Sequence, residues 1–441
     1  MSKTYLITNA RIVNEGVVTE GDLLVRDGRI AGINKTAPEG AEVVDAAGAW
    51  LLPGMIDDQV HFREPGLEHK GTIATESRAA IAGGITSYME MPNCNPLTVT
   101  HEMLRDKHTR AADHSMANYA FYFGATNDNL EAIKTVDPHL TCGIKVFMGA
   151  STGDMLVDNE ATLEGIFAGT ELIIATHCED TPTILANEAA ALERYGENIP
   201  FTEHPKIRSE EACWKSSSLA VSLAKKHNAR LHVLHLTTAR EMALFEAGDL
   251  ATKRITAEAC VHHLFFNESW YPKKQALIKC NPAIKTEADQ RALQQAINED
   301  RIDVIATDHA PHLAEEKGRQ YSKASAGLPL VQHALLSLFE LRHRGIFSVE
   351  KIVEKTAHAP ARLFAVKERG FIREGYHADL VLIDDTLLAD PQEIYSKCGW
   401  SPFAGIDLHA RVQATWVNGL LRYREGRFLD GPNGQALTFE R

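Results

Sequence analysis

The sequence predicts an α/β fold: a (β/α)8 barrel of the TIM type carrying a small β-sandwich built from the N- and C-terminal segments. Three observations predict it. Eight short apolar runs alternate with helical stretches over roughly 250 to 300 residues, the span of such a barrel. Several of those runs end in His, Lys or Asp, where barrel enzymes keep their chemistry. Strand-rich, glycine-punctuated tails flank the region on both sides.

Taken in order, residues 1–50 read as the first part of the sandwich: Tyr5 to Val13, Asp22 to Val25 before the Asp27-Gly28 turn, and Ile30 to Ile33. Residues 51–365 read as the barrel. Its strands are expected at Leu52 to Asp57, Thr86 to Met91, Tyr119 to Gly124, Gly143 to Met148, Leu172 to His177, Leu231 to Leu236, Arg254 to Glu258 and Asp303 to Thr307. These are continuous apolar runs, as suits strands buried on both faces. Ile73 to Ala82, Thr181 to Tyr195, Ser216 to Lys226 and Glu287 to Ile297 carry the helical period between them. Residues 366–441 return to strands at Ala378 to Ile383 and Gln413 to Gly419, and barrel termini lie close enough for both tails to share one small domain.

Composition narrows the function. With 46 basic against 59 acidic residues and a net charge of -13, a phosphate-backbone partner is excluded, because such proteins concentrate Lys and Arg on one face. The seven cysteines are scattered and contain no Cys-x-x-Cys, so neither a disulfide framework nor a thiolate knuckle is expected. No secretory core and no membrane-length apolar run is evident, so the reading is a cytoplasmic protein with no membrane partner. The expected partner is a small-molecule substrate, with a homodimer as the assembly to test.

Ionisable residues at buried strand ends are costly unless something pairs with them. His61, Lys145, His177, His235 and Asp308 recur at that place on five segments, and one shared cation site explains them all. Lys145, inside Ile144-Lys145-Val146-Phe147, is expected to lose its proton or find a partner, and a neutral lysine amine can add carbon dioxide to become an anionic carbamate ligand. His232 and His235 lie three apart on one strand and should face opposite ways, which makes His235 the ligand and His232 a core residue. Two generic motifs are set aside. Gly149-Ala150-Ser151-Thr152-Gly153 matches a nucleophile elbow but leaves the strand-end ligands unexplained, and Gly66-x4-Gly71-Thr72 lacks the lysine of a phosphate loop.

Pro53-Gly54-Met55-Ile56-Asp57, His61-Phe62-Arg63-Glu64-Pro65-Gly66, Met91-Pro92-Asn93, His177-Cys178-Glu179-Asp180, Val261-His262-His263-Leu264, Asn281-Pro282 and Ala306-Thr307-Asp308-His309-Ala310-Pro311-His312 together resemble the amidohydrolase superfamily, and within it the dihydroorotases. The resemblance implies a zinc hydrolase with one or two ions per chain: His61 and Asp308 on one, His177 and His235 on the other, and N6-carboxylated Lys145 between them. It further implies reversible ring opening of dihydroorotate to N-carbamoyl-aspartate, a step of pyrimidine biosynthesis, with Asp308 as the catalytic proton shuttle. Arg63, Asn93 and His312 would hold the substrate carboxylate, Asn281 the ring, and Ala326 and Gly327 would offer backbone groups. The segment Leu313 to Leu328 reads as a mobile flap over the site.

One departure stands out. The family's first strand ends in His-x-His, and this chain has Gln59-Val60-His61, a weaker ligand for the first metal position. Rival readings are a hydantoinase or allantoinase, and a weakened relative acting as a scaffold.

Overall fold

The computed structural model describes residues 3–149, 155–390, 393–429 and 431–441. Ser151 of the set-aside elbow motif lies outside the described residues. Eight parallel strands form the barrel: Met55–Val60, Ile85–Glu90, Asn118–Phe121 (resumed after Tyr122 by Phe123–Gly124), Ile144–Phe147, Ile174–His177, Leu231–Val233, Ile255–Cys260 and Val304–Ala306. Neighbours pair in parallel along the series. The ring closes between first and last, where Val60 bridges His309 and the His61 N–H donates to the His309 carbonyl at 2.7 Å. The (β/α)8 expectation therefore holds.

Residues along the strands are sorted between two apolar clusters. Tyr88, Phe121, Ile144, Val146, Ile174, Leu231 and Val233 join the larger, to which helices such as Ile73–Ala82 and Ala334–His343 contribute Ala79, Ile81, Leu338 and Phe339. Ile56, Met89, Ala120, Tyr122, Ile173, Ala175 and Val304 instead meet Phe364, Phe371, Leu437 and Phe439 from the C-terminal region. Burying each large apolar side chain contributes roughly 1.5–3 kcal/mol, so this second cluster is a firm base for the polar groups near it. The helices start where the sequence caps them. Thr72 accepts from Thr75 N ahead of Ile73–Ala82, and Asp180 accepts from Thr183 N ahead of Thr181–Tyr195.

The two tails make one hydrogen-bonded sheet of nine strands. Tyr5–Asn14 pairs with Val17–Arg26 on one side and with Glu42–Asp45 and Trp50–Pro53 on the other. Trp50–Pro53 also pairs antiparallel with Leu380–Asp384, and the sheet continues through Arg411–Val417 to Leu420–Arg424. Tyr5, Ile7, Leu23, Leu51, Leu380, Leu382 and Trp416 give it a core of its own. Only Gly54 separates this sheet from the first barrel strand. A Cβ there would stand 2.2 Å from the Thr86 side chain, so the close approach requires glycine. No helix among the described residues is long and apolar enough to cross a membrane.

The closing seam carries a wholly buried carboxylate, Asp57. It accepts from the Thr307 hydroxyl at 2.6 Å and from the backbone N–H of Thr307 and Gln59 at 3.1 and 3.3 Å, while burial pushes its pKa well up. Thr307→Val keeps the shape and deletes one donor to this group. Its unfolding free energy should fall by about 1–3 kcal/mol in denaturant titration at unchanged slope, and an unchanged midpoint would show that the seam does not depend on that bond.

Candidate metal centre

All five residues expected to bind metal line one cavity of about 500 Å³ at the carboxyl ends of the strands, together with Gln59, Arg63, Asn93, Asn281, His312, Ala326 and Gly327. Lys145 lies inside its strand and His177 ends its own, whereas His61, His235 and Asp308 lie just beyond theirs. His235 and Asp308 have φ of +40° and +53°, and Arg63 has +74°. Left-handed backbone at non-glycine residues costs energy and is found where the surroundings impose it, typically at functional sites. It also corrects one expectation. His232 and His235 do not split between faces, because the strand ends at Val233 and the left-handed turn at His235 breaks the alternation. His232 reaches Asp58 of the first strand from the non-adjacent sixth, across the barrel interior, at 3.1 Å. His235 meets His177.

The ligand-type residues meet in two pairs. His61 Nε2 is 3.0 Å from Asp308 Oδ1, and His177 Nδ1 is 3.0 Å from His235 Nε2. The far ring nitrogens fix the tautomers. His61 Nδ1 is 2.7 Å from Asn93 Oδ1 and donates to it; His177 Nε2 donates to Glu179 Oε2 at 2.9 Å. In a neutral His61 ring, Nε2 is thus a lone pair facing Asp308, and His177 Nδ1 faces His235 Nε2. Burial holds His61 below its usual pKa and His235 well below, the latter helped by His177 and Lys145. The Lys145 ammonium is buried over the Phe147 ring, 4.6 Å from its centroid, and burial lowers its pKa to about 8 against the pull of Asp308 and Glu258.

Gln59 does not stand in for the missing imidazole. Its Nε2 donates to Asp308 Oδ1 at 3.2 Å, and its Oε1 lies on the other side, 3.8 Å from Cys260 Sγ. The amide therefore orients Asp308.

On the recognition side, the Arg63 guanidinium is not paired with Glu64 or Glu68. Its Nε donates to the Pro311 carbonyl at 3.0 Å, while Glu64 accepts from Ile73 N. Lys70 donates to His312 Nδ1 at 3.1 Å, so His312 is neutral and its Nε2–H goes to the Ala326 carbonyl at 2.9 Å. Burial, with Arg63, Lys70 and Lys317 nearby, keeps that ring unprotonated. Arg63 Nη2, 3.1 Å from the same Nε2, retains its hydrogens for a ligand. Three of the four backbone groups of Ala326 and Gly327 are engaged: Ala326 O by His312, Gly327 N by the Lys279 carbonyl, and Gly327 O by Lys317. Asn281, with its amide oriented to satisfy its neighbours, donates to Cys280 O and accepts from Arg208 Nη2 at 3.2 Å.

Sequence reasoning missed two supporting groups. Glu179, wholly buried two residues after His177, accepts from that imidazole and from Arg208 at 2.6 Å, and Arg208 holds its pKa well below the usual range. The carboxylate so close to a ligand histidine was a usable signal. Deeper in the barrel, His232 Nδ1 donates to Thr256 Oγ1 at 2.8 Å, since that hydroxyl spends its proton on the Leu231 carbonyl. Its Nε2 faces Asp58 Oδ2 at 3.1 Å and Glu258 Oε2 at 3.6 Å. Both nitrogens carry protons, and the two carboxylates raise the imidazolium pKa to about 9 against burial. Asp58 sits on strand one and Glu258 on strand seven, so the triad emerges only when the barrel closes.

The amidohydrolase family profile matches residues 50–421. The chain belongs to the amidohydrolase family. A dihydroorotase of Halobacterium salinarum is 33% identical over 90% of this chain and 92% of its own length. An allantoinase of Streptomyces avermitilis is 30% identical over 99% and 98%. In structure, an L-hydantoinase of Arthrobacter aurescens superposes with a TM-score of 0.93 at 25% identity, covering 99% of this chain and all of that one. Within the family, this chain is a cyclic amidohydrolase.

Amidohydrolases generally bind metal ions, and the donor set here fits one. A neutral His61 leaves a lone pair facing the Asp308 carboxylate at 3.0 Å with no proton between them, and a cation removes that repulsion. Hydrogen bonds to the outer nitrogens of ligand histidines set their orientation and typically account for 10–100-fold in affinity. Glu179→Ala should accordingly weaken divalent-metal binding by about 10–100-fold in a competitive chelator titration, and an unchanged affinity would overturn the orienting role.

The His232 triad predicts a pH dependence of stability. Its folded pKa of about 9 exceeds the usual 6.5, so its contribution is lost as pH rises from 6.5 through about 9, with Glu258, raised to about 7 by burial and Asp58, titrating alongside it. Relative to His232→Gln, the wild-type unfolding free energy should fall over that window by up to roughly 3 kcal/mol. Parallel curves would overturn the imidazolium assignment.

Proposed function

We propose that this chain is a dihydroorotase, catalysing reversible hydrolysis of (S)-dihydroorotate to N-carbamoyl-L-aspartate in pyrimidine biosynthesis, with residues 51–365 as the catalytic barrel between sandwich segments 1–50 and 366–441. One observation carries the choice of substrate. Arg63 lies buried in the cavity with no carboxylate of the described residues in ion-pair contact, and its pKa, lowered by burial to about 10, still leaves it cationic at neutral pH. Asp308, Glu90, Glu316 and Glu76 act on it only from beyond ion-pair distance, and a substrate carboxylate would pair with it directly through two parallel hydrogen bonds. Hydantoin and allantoin carry no carboxylate.

In this reading His61, Lys145, His177, His235 and Asp308 hold one or two zinc ions, with Lys145 as its N6-carboxylate. Zinc at this place supplies Lewis acidity and water of lowered pKa, toward about 7. Asp308, oriented by the Gln59 amide, takes the proton of the attacking water and delivers it to the departing ring nitrogen. Arg63 holds the carboxylate, neutral His312 closes its flank, Asn93 keeps Nδ2 for the substrate while its Oδ1 serves His61, and Asn281 meets the ring. Hydrolysis of a neutral cyclic ureide is the second reading, favoured by the close superposition on the L-hydantoinase.

A substrate panel separates the two. The wild type should open dihydroorotate faster than hydantoin, allantoin or an uncharged six-membered imide. Arg63→Ala should lower kcat/KM for dihydroorotate by about 10–100-fold, the equivalent of one charge-assisted contact, with a much smaller loss on the imide. Equal losses on both would remove the substrate assignment.

A further inference from the structure

Two groups among the described residues bring three donors of the His, Cys or carboxylate type within 4.8 Å of one another, and both lie outside the set of His61, Lys145, His177, His235 and Asp308: Asp58, His232 and Glu258, and Cys260, His262 and His263. Their hydrogen bonding distinguishes them. In the first, the imidazolium proton already lies between the carboxylates, so the group has its cation.

The second has no such internal cation among the described residues. Cys260 and His262 are wholly buried and His263 is 3% exposed. His263 Nε2–H donates to the Pro282 carbonyl at 3.0 Å, which leaves Nδ1 as a bare lone pair with no partner among the described residues. Neither nitrogen of His262 has a partner of hydrogen-bond geometry there, although the Thr307 backbone lies close enough to act on the ring. The two rings pack with centroids 3.9 Å apart. Each unsatisfied buried nitrogen costs on the order of 1–3 kcal/mol, and three in one place ask for a ligand. Burial first, and then Glu258, Asp308 and Asp57, push the pKa of the Cys260 thiol well up, so a thiolate there needs a cation beside it.

We propose that Cys260, His262 and His263 form a separate zinc site of one thiolate and two imidazoles, behind the floor of the catalytic cavity. Thiolate and imidazole together select zinc among the common divalent ions, in tetrahedral geometry. On binding, the Cys260 S–H bond breaks, the sulfur keeps the electron pair as a Zn–S bond, and the proton leaves to solvent. Two oxygens stand beside the thiol for the fourth position, Glu258 Oε1 at 3.4 Å and Gln59 Oε1 at 3.8 Å. The first strand has lost an imidazole at Gln59, and its amide oxygen faces this second set of donors.

The site is read without reference to substrate, so its test is independent of the dihydroorotase reading. The five residues of the catalytic centre include no sulfur. Zinc K-edge absorption of the zinc-loaded wild type should show a sulfur scatterer at about 2.3 Å. The cobalt-loaded protein should show a sulfur-to-metal charge-transfer band. Cys260→Ser should abolish both signals and lower bound zinc by one equivalent, His262→Gln should lower it likewise, and Cys213→Ser, a buried thiol elsewhere, should leave it unchanged. A fully loaded wild type without a sulfur scatterer would overturn the proposal, whatever the variants do; so would a sulfur signal that persists in Cys260→Ser.

Discussion

Ionisable side chains placed where water cannot reach them are the constraint on which this molecule is built. Asp57, Asp58, Lys145, Glu179, His232, His235 and Glu258 are at most 2% exposed, and all lie in or beside the barrel. An unpaired charge there would cost several kcal/mol, enough to consume much of a domain's stability. The barrel answers by making most partners come from different strands: Asp57 of the first with Thr307 after the eighth, His232 of the sixth with Asp58 and Glu258, His61 after the first with Asp308. Except for His232 with Glu258, which lie on neighbouring strands, these pairs exist only once the ring is closed, so most of the electrostatic satisfaction and the topology are the same event. The hydrophobic layer around Ile56, Tyr122 and Ile173 fixes the strands closely enough for such bonds to form.

Within that frame, the departure at Gln59 changes the reading of the first metal position. A glutamine could have been a weak oxygen ligand, and the expectation from sequence was a weakened site. The amide instead turns its nitrogen to Asp308 and its oxygen to Cys260. Asp308 gains a donor on Oδ1, the same oxygen that faces His61 Nε2, so the amide nitrogen positions the carboxylate.

Much of this was legible in the sequence because parallel strands buried on both faces read as continuous apolar runs, and a polar residue ending such a run announces itself. His177 was visible for that reason, and Lys145 because it interrupts such a run. The helix Thr181–Tyr195 was legible too, with Asp180 before it, Pro182 in its first turn and Gly196 after it. What escaped depends on geometry with no one-dimensional trace. The His232–His235 spacing implies opposite faces for regular strand, and only the left-handed backbone at His235 cancels it. Glu258 lies inside its strand, and it meets His232 of strand six and the backbone N–H of His235. Glu179 lay within a quoted motif without a role, since which nitrogen of His177 it occupies is decided by the ring's rotation.

The separation of chemistry from recognition follows from the same economy. Ligand-type residues sit at or just beyond strand ends, where the backbone is held by neighbouring strands. Arg63, His312 and the 321–327 segment sit on loops, which have no such support and lock one another instead. Lys317 donates to the carbonyls of Lys279, Ser325 and Gly327; Lys279 donates to those of Tyr321 and Ala324; and Trp400 Nε1 donates to the His312 carbonyl. Gly327, at φ +141°, has no room for a Cβ, which would fall 2.6 Å from the Ala310 carbonyl and 2.9 Å from the His312 ring. Such a lattice holds the guanidinium in a fixed place, out of ion-pair contact with the carboxylates that act on it from further away. Burying that charge without a direct partner is unfavourable, so the mutual locking of these loops, and not a local ion pair, is what keeps the guanidinium facing the cavity.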